Sequence, residues 1–445
     1  MTTPICDFVS RYVRKDTLRL HMPGHKGVSR LGPEPWDITE VEGADSLYEA
    51  ESIIRESEEN AGQLFGAQTV YSTEGSSQCI RAMVYLTVLR ARSCGREPVI
   101  LAGRNAHKTF LSAAALTGAD VQWLWGRGDS YLSCPLTAGD VQTALDAAPE
   151  LPAAVYLTTP DYLGNTVDVA AIAAVCHDRG VPLLVDNAHG AYLKFLQPSR
   201  HPMDLGADLC CDSAHKTLPG LTGTAYLHIS HSAPTLFAEQ AKNAMALFGS
   251  TSPSYLLLAS LDAVNGCLAD GYLEQLVSFI RLVENTKTRL SAHGWALTGD
   301  EPLKITLRTK AFGYTGRQTA DLLLEKNIVC EFSDPDHLVM MLTPEVGAAG
   351  LECLETALLS VPRKTPMDSV PPRFVRAERV MSVRDAVFAP CETVPASESA
   401  GRVLAAASVG CPPAVPIVVC GERIDADAAA CFAYYGIEEV TVVCE

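Results

Sequence analysis

Apolar residues in this chain cluster in short unbroken runs separated by longer stretches with a single apolar face. The runs are Pro98–Gly103, Val121–Gly126, Ala153–Thr159, Val181–Val185, Ala207–Cys211 and Gly223–Ile229. Each is too short for a helix, and their apolar character is that of strands buried on both faces of a parallel sheet. Between them, apolar side chains recur at three- and four-residue spacing, as in helices laid on a sheet. Ile80, Met83, Val84, Thr87 and Val88 share one such face, just behind Gly75-Ser76-Ser77. Glu51–Phe65 reads as an amphipathic helix closed by Gly66, and 168–179 as one opened by Asp168 and stopped by Gly180. Strand–helix alternation predicts an α/β large domain over 46–275 with a mostly parallel sheet, after an N-terminal arm over 1–45. The pattern turns helical from Ser254 to about Ser291. A smaller α/β module is expected over 276–360, with strands at Leu303–Leu307 and Leu338–Leu342 and a helix at Gln318–Glu325. The proline-rich charged linker Val361–Pro372 leads to a last module over 373–445.

Two of the strand runs end in chemistry. Val181–Val185 runs out into Asp186-Asn187-Ala188-His189-Gly190, and Ala207–Cys211 leads to Ser213-Ala214-His215-Lys216-Thr217. In open α/β sheets the carboxyl ends of strands form the ligand crevice. A carboxylate and a lysine delivered there suit pyridoxal phosphate, which needs a lysine for its Schiff base and an acidic partner for its pyridinium nitrogen. Ser76 and Ser77 stand where they can cap a helix whose free N–H groups and positive dipole end suit a phosphate.

With these motifs the chain resembles the Orn/Lys/Arg decarboxylase family, fold-type-I pyridoxal-phosphate enzymes acting on basic amino acids. The segments that carry the resemblance stand in family order. They are His21-Met22-Pro23-Gly24-His25-Lys26, Phe65-Gly66-Ala67, Gly75-Ser76-Ser77, Arg104-Asn105-Ala106-His107-Lys108, Thr159-Pro160-Asp161-Tyr162-Leu163-Gly164, the Asp186 and Lys216 motifs, and Thr251-Ser252-Pro253-Ser254-Tyr255. Longer members carry an N-terminal regulatory domain; here the Met22-Pro23-Gly24-His25 motif comes early, and the short form is expected.

The resemblance implies a role for each residue. Lys216 would carry the cofactor, Asp186 would hold its ring nitrogen protonated, and His189 would support Asp186 or the ring hydroxyl. His107 would stack on the ring, and Lys216, His215 or His107 would return a proton to the substrate α-carbon. Ser76, Ser77, Ser213 and His215 would contact the phosphate, joined by Ser250 from a neighbouring subunit, so a homodimer is expected. Glu422 would pair with the distal cation of arginine, lysine or ornithine. The C-terminal signature departs from the family pattern at Cys411, Ala414 and Cys420, which puts the substrate pocket in question. Glu74 is a further departure, a carboxylate whose side chain must point away from a phosphate. Fold-type-I aminotransferases and lyases share the Lys, the Asp and the phosphate helix, and often clamp a carboxylate with an arginine, for which Arg308 is a candidate. An aminotransferase, a lyase or a non-catalytic cofactor-binding homologue therefore stays open beside the decarboxylase.

Composition narrows the setting. The 445 residues suffice for two or three cores. A formal charge of −17 argues against nucleic acid as a partner. Neither a signal peptide nor a run approaching a membrane span is present, so the cytoplasm is expected. The 15 cysteines form no CxxC pair and read as reduced core residues, with no metal expected.

Overall fold

The structure is a computed structural model that describes residues 1–127, 130–373, 376–406 and 413–444. Cys411 lies outside the described residues. The chain forms two compact units, neither continuous in sequence: Met1–Glu97, Ala153–Tyr156 and Val169–Gln275 make the first, and Pro98–Pro152, Leu157–Asp168 and Leu276–Glu445 the second.

In the first unit, strand Leu183–Asp186 pairs in parallel with Leu209–Asp212, Val185 facing Cys210. The next strand, Ala225–Ile229, runs antiparallel to Leu209–Asp212 and, on its other side, to Gln68–Ser72. Leu183, Leu184 and Val185 are fully buried, as an unbroken apolar run requires. The strand Gln68–Ser72 escapes the sequence pattern because Gln68, Thr69 and Ser72 break its apolar run. Thr69 and Ser72 are nevertheless buried, their hydroxyls bonded within the unit.

Helix Ile53–Phe65 ends at Gly66 in the left-handed conformation, φ 69°, as the glycine signal predicts. Helix Val169–Asp178 lies inside its expected span. The helical stretch after Ser254 is two helices, Tyr255–Ala269 and Tyr272–His293, interrupted at Gly271 with φ 76°.

In the second unit, Val99–Gly103 pairs in parallel with Asp120–Leu124. A four-stranded antiparallel sheet places Lys304–Arg308 between Ala296–Thr298 and His337–Met341, with Phe332–Ser333 on the far edge. Helix Gly316–Leu324 opens with a capping box, Thr315 and Gln318 each accepting the other's backbone N–H. Near the C-terminus, Cys391–Pro395 pairs antiparallel with Glu439–Val443. Both parallel pairs, and the strand–helix order through them, fit the α/β class.

Candidate active site

Within the first unit, three segments bring polar groups together at strand ends. The strand Leu183–Asp186 delivers Asp186, which is 2% exposed. Its carboxylate accepts from the Tyr156 hydroxyl at 3.2 Å and the Ala188 N–H at 3.2 Å, with the Cys211 thiol 3.6 Å away. Burial pushes its pKa up, and the positive charge of Lys216 works against that rise. A buried carboxylate with a neighbouring ammonium is suited to an N–H⁺ donor from a ring.

The turn after Asp186 is shaped by a glycine. A Cβ at Gly190 would lie 2.0 Å from Asn187 Oδ1, so a larger residue would displace Asn187. Asn187 in turn donates to Asp212 at 2.7 Å. Asp212, at the end of the neighbouring strand, also accepts from His201 Nε2 at 2.9 Å and His228 Nε2 at 3.1 Å. This buried group fixes the strand end from which Ser213, His215 and Lys216 follow. The sequence reading missed it because His201, Asp212 and His228 belong to no local motif.

Lys216 sits in a single helical turn, Ala214–Thr217, and is half-buried. The His215 Nδ1 donates to the Thr224 carbonyl at 2.9 Å, which leaves Nε2 as the acceptor of the neutral ring. Burial holds the His215 pKa below its ordinary value.

The Ser213 hydroxyl donates to Ser76 Oγ at 2.9 Å, joining the lysine segment to the helix Ser76–Ser93. The helix is not capped by its serines. Gly75 occupies the cap with φ 70° and no side-chain cap bond forms, so Ser76 and Ser77 are its first two helical residues. An eighteen-residue helix opening in this way, with serine hydroxyls around it, has the donor set a phosphate needs. Glu74 is exposed, and its Oε1 accepts the Ser250 N–H at 3.2 Å. Ser250 is itself exposed, whereas His189 is buried. The buried acid, the adjacent lysine and the serine-lined helix start fit pyridoxal phosphate.

His107 and Glu422 belong to the second unit. His107 caps helix Lys108–Thr117, its Nδ1 accepting the Thr109 N–H at 3.1 Å, which puts the neutral ring's proton on Nε2. Glu422 is buried, and its Oε2 accepts from Arg104 Nη2 at 3.1 Å and the Val419 N–H at 2.7 Å. Sequence reasoning assigned Glu422 to a substrate cation; the structure gives that oxygen a protein partner instead. Cys420 is buried beside it, and Ala414 takes a left-handed φ of 56° where the family has glycine. Arg308, at the end of its strand, is exposed. The Thr159–Gly164 motif winds around Asp161, whose Oδ1 accepts the N–H groups of Leu163 and Asn165 at 2.9 Å each.

Residues 3–298 match the Orn/Lys/Arg decarboxylase major domain, and residues 375–441 match the C-terminal domain of the same family. The chain belongs to the Orn/Lys/Arg decarboxylase family. It is 30% identical to the protein YaaO of Bacillus subtilis over 95% of this chain and 92% of that one. It is 29% identical to the arginine decarboxylase of Halalkalibacterium halodurans, covering 95% and 91%. In fold it resembles lysine decarboxylase A from Pseudomonas aeruginosa, with a TM-score of 0.76 and 20% identity over 97% of this chain and 75% of that one. The chain is thus a pyridoxal-phosphate-dependent decarboxylase of a basic amino acid with a fold-type-I α/β architecture. No helix among the described residues is long and apolar enough to cross a membrane.

Proposed function

We propose that the substrate is arginine and the product agmatine, with Lys216 and Asp186 as the central pair. The observation that carries the site assignment is the buried Asp186 carboxylate within the electrostatic reach of Lys216. Arginine is favoured because the relatives aligned over 94–96% of this chain include several named arginine decarboxylases, whereas the lysine decarboxylase of Pseudomonas aeruginosa aligns over 56%.

Pyridoxal phosphate, when bound, supplies the ring that accepts the electron pair of the breaking carboxylate bond. Lys216 Nζ would be its point of covalent attachment, and as a free amine would be a proton donor to the substrate α-carbon. Asp186 would hold the proton on the ring nitrogen, its carboxylate kept aimed by Tyr156 and the Ala188 N–H. Ser76, Ser77 and Ser213 take the phosphate at the helix start. His215, its Nδ1 held by the Thr224 carbonyl, would contact the phosphate or return a proton through Nε2 when that nitrogen is protonated. His189 supports Asp186 or the ring hydroxyl, and His107 is assigned the ring face on its motif alone.

A homodimer in the cytoplasm is part of this reading. Leu18, Leu20, Met22, Val28 and Leu31 leave an N-terminal apolar stretch exposed, Leu31 by 91%, as a segment that awaits a second copy would. Ser250 is exposed, as a residue reaching a partner's phosphate must be. The cysteines among the described residues are unbonded, which suits a reducing compartment. Sedimentation showing a fully active monomer would overturn the dimer.

The deciding experiment incubates purified enzyme separately with arginine, lysine and ornithine and measures carbon dioxide and amine. Agmatine formed at a kcat/KM at least tenfold above the other two is expected; preferential cadaverine or putrescine would overturn the choice of arginine. Borohydride reduction and peptide mapping should place the pyridoxyl group on Lys216. Finding it on Lys26, Lys108 or Lys194 would overturn the site.

A further inference from the structure

The edge of the antiparallel sheet turns from Phe332–Ser333 into His337–Met341 through Asp334-Pro335-Asp336. One oxygen of Asp334 is used by the turn itself, Oδ1 accepting the N–H groups of Asp336 at 2.7 Å and His337 at 2.6 Å. One oxygen of Asp336 is also used: Oδ1 accepts from the Tyr434 hydroxyl and from Lys310 Nζ, both at 2.7 Å.

Three atoms are left over. Asp334 Oδ2, Asp336 Oδ2 and His337 Nδ1 are all buried without a hydrogen-bond partner, His337 Nδ1 standing 3.6 Å from Asp334 Oδ1. Asp334 is 4% exposed and Asp336 9%, so water does not compensate them from bulk. Native structures rarely leave one such group, and three in four residues call for a ligand. The contrast with Asp212 is instructive, since that buried carboxylate has His201, His228 and Asn187 as donors.

The geometry suits a cation. Asp334, Asp336 and His337 each offer a ligand atom, and these atoms lie within 4.8 Å of one another. Protein ligands stand roughly 2.0–2.2 Å from a zinc-sized ion in tetrahedral array, so neighbouring ligand atoms are about 3.4 Å apart. Atoms at the 4.8 Å limit would have to draw together by about 1.4 Å, a change within the reach of side-chain rotation. Two carboxylates against the single ammonium of Lys310 leave the cluster negative when His337 is neutral. An imidazole with two carboxylates favours borderline divalent ions over magnesium. The three residues stand together in Asp334-Pro335-Asp336-His337, where the sequence reading expected no metal.

We propose that Asp334, Asp336 and His337 of the second unit bind one divalent transition-metal ion of the zinc class, bracing the turn between the two strands. Holoenzyme dialysed against chelator and then titrated with Co²⁺ is the test. Stoichiometric binding with visible absorption of oxygen–nitrogen ligation, and no thiolate charge-transfer band, is expected; Zn²⁺ should displace the Co²⁺. Asp334→Asn and His337→Ala should each weaken binding at least tenfold while the cofactor absorbance is unchanged. Absence of stoichiometric Co²⁺ and Zn²⁺ binding to the wild-type holoenzyme would overturn the proposal. So would a thiolate spectrum, or undiminished affinity in the folded variants. The wild-type titration decides the matter even if a variant does not fold.

Discussion

Arg104 and Glu422 form an ion pair of 3.1 Å with only 3% and 5% of their side chains exposed. The guanidinium also donates to the carbonyls of Pro416 and Ile417 and lies 5.3 Å from the ring centres of both Trp123 and Trp125. It joins one family motif, the segment around His107, to another, the C-terminal Gly421-Glu422. Removing the carboxylate would leave a guanidinium buried and uncompensated. Glu422→Ala should therefore lower stability by about 3–5 kcal/mol, and Glu422→Gln, which keeps an acceptor, by less. Denaturant unfolding beside KM measurement checks this. An unchanged stability with a raised KM would return Glu422 to the role of substrate contact.

Asp186→Asn should keep the cofactor but lower kcat by at least about 100-fold, since an amide cannot hold the ring nitrogen protonated; a preorganised electrostatic contact of this kind is worth that much. Tyr156→Phe, which removes one bond to the same carboxylate, should cost about tenfold or less. The measurement is kcat at saturating cofactor, with the visible absorbance as the control for loading. Near-normal turnover of loaded Asp186→Asn would show that another group partners the ring.

The Ser213–Ser76 contact leads to a cofactor-affinity prediction. Each hydroxyl placed on a phosphate contributes about 1.5–3 kcal/mol as a bond to a charged group, so Ser76→Ala and Ser213→Ala should each raise the cofactor Kd by roughly tenfold or more. At saturating cofactor kcat should change little. Cofactor titration by fluorescence separates the two effects, and unchanged Kd in both variants would remove these serines from the phosphate site.

Acid stability follows from the group around Asp212. Burial opposes its ionisation, yet His201, the hydrogen bonds of both histidines and His228 together hold its carboxyl below the ordinary range. Burial holds His228 below its ordinary value too. In both cases the unfolded chain binds more protons than the folded one, so stability rises with pH. The His228 share should be complete above about pH 6.5 and fade as pH falls below it, and the Asp212 share should fade below about pH 4. Urea unfolding from pH 4 to pH 8 checks this; stability that increases as pH falls from 6.5 to 5 would contradict it.

The alternation of apolar runs and amphipathic stretches, read without a partner in view, was enough to place the parallel strands and the helix ends at Gly66 and Gly180. Strand period and helix capping depend on neighbours a few residues away, so they are written locally. The same locality made Asp186, Lys216 and the Ser76-Ser77 helix start legible, because each sits where a strand or a helix visibly begins or ends. The partners of buried charges are not local. Glu422 found Arg104 across 318 residues, and Asp212 gathered Asn187, His201 and His228 from three different segments. Which donor meets a buried carboxylate depends on where the chain returns after folding, and burial makes that choice costly to change. The sequence therefore determined the α/β plan and the place of Asp186 and the Lys216 segment at the ends of two strands. Only the tertiary structure decided that Glu422 is held by Arg104, that Tyr156 steadies Asp186, and that Asp334, Asp336 and His337 each hold a ligand atom within 4.8 Å of the others.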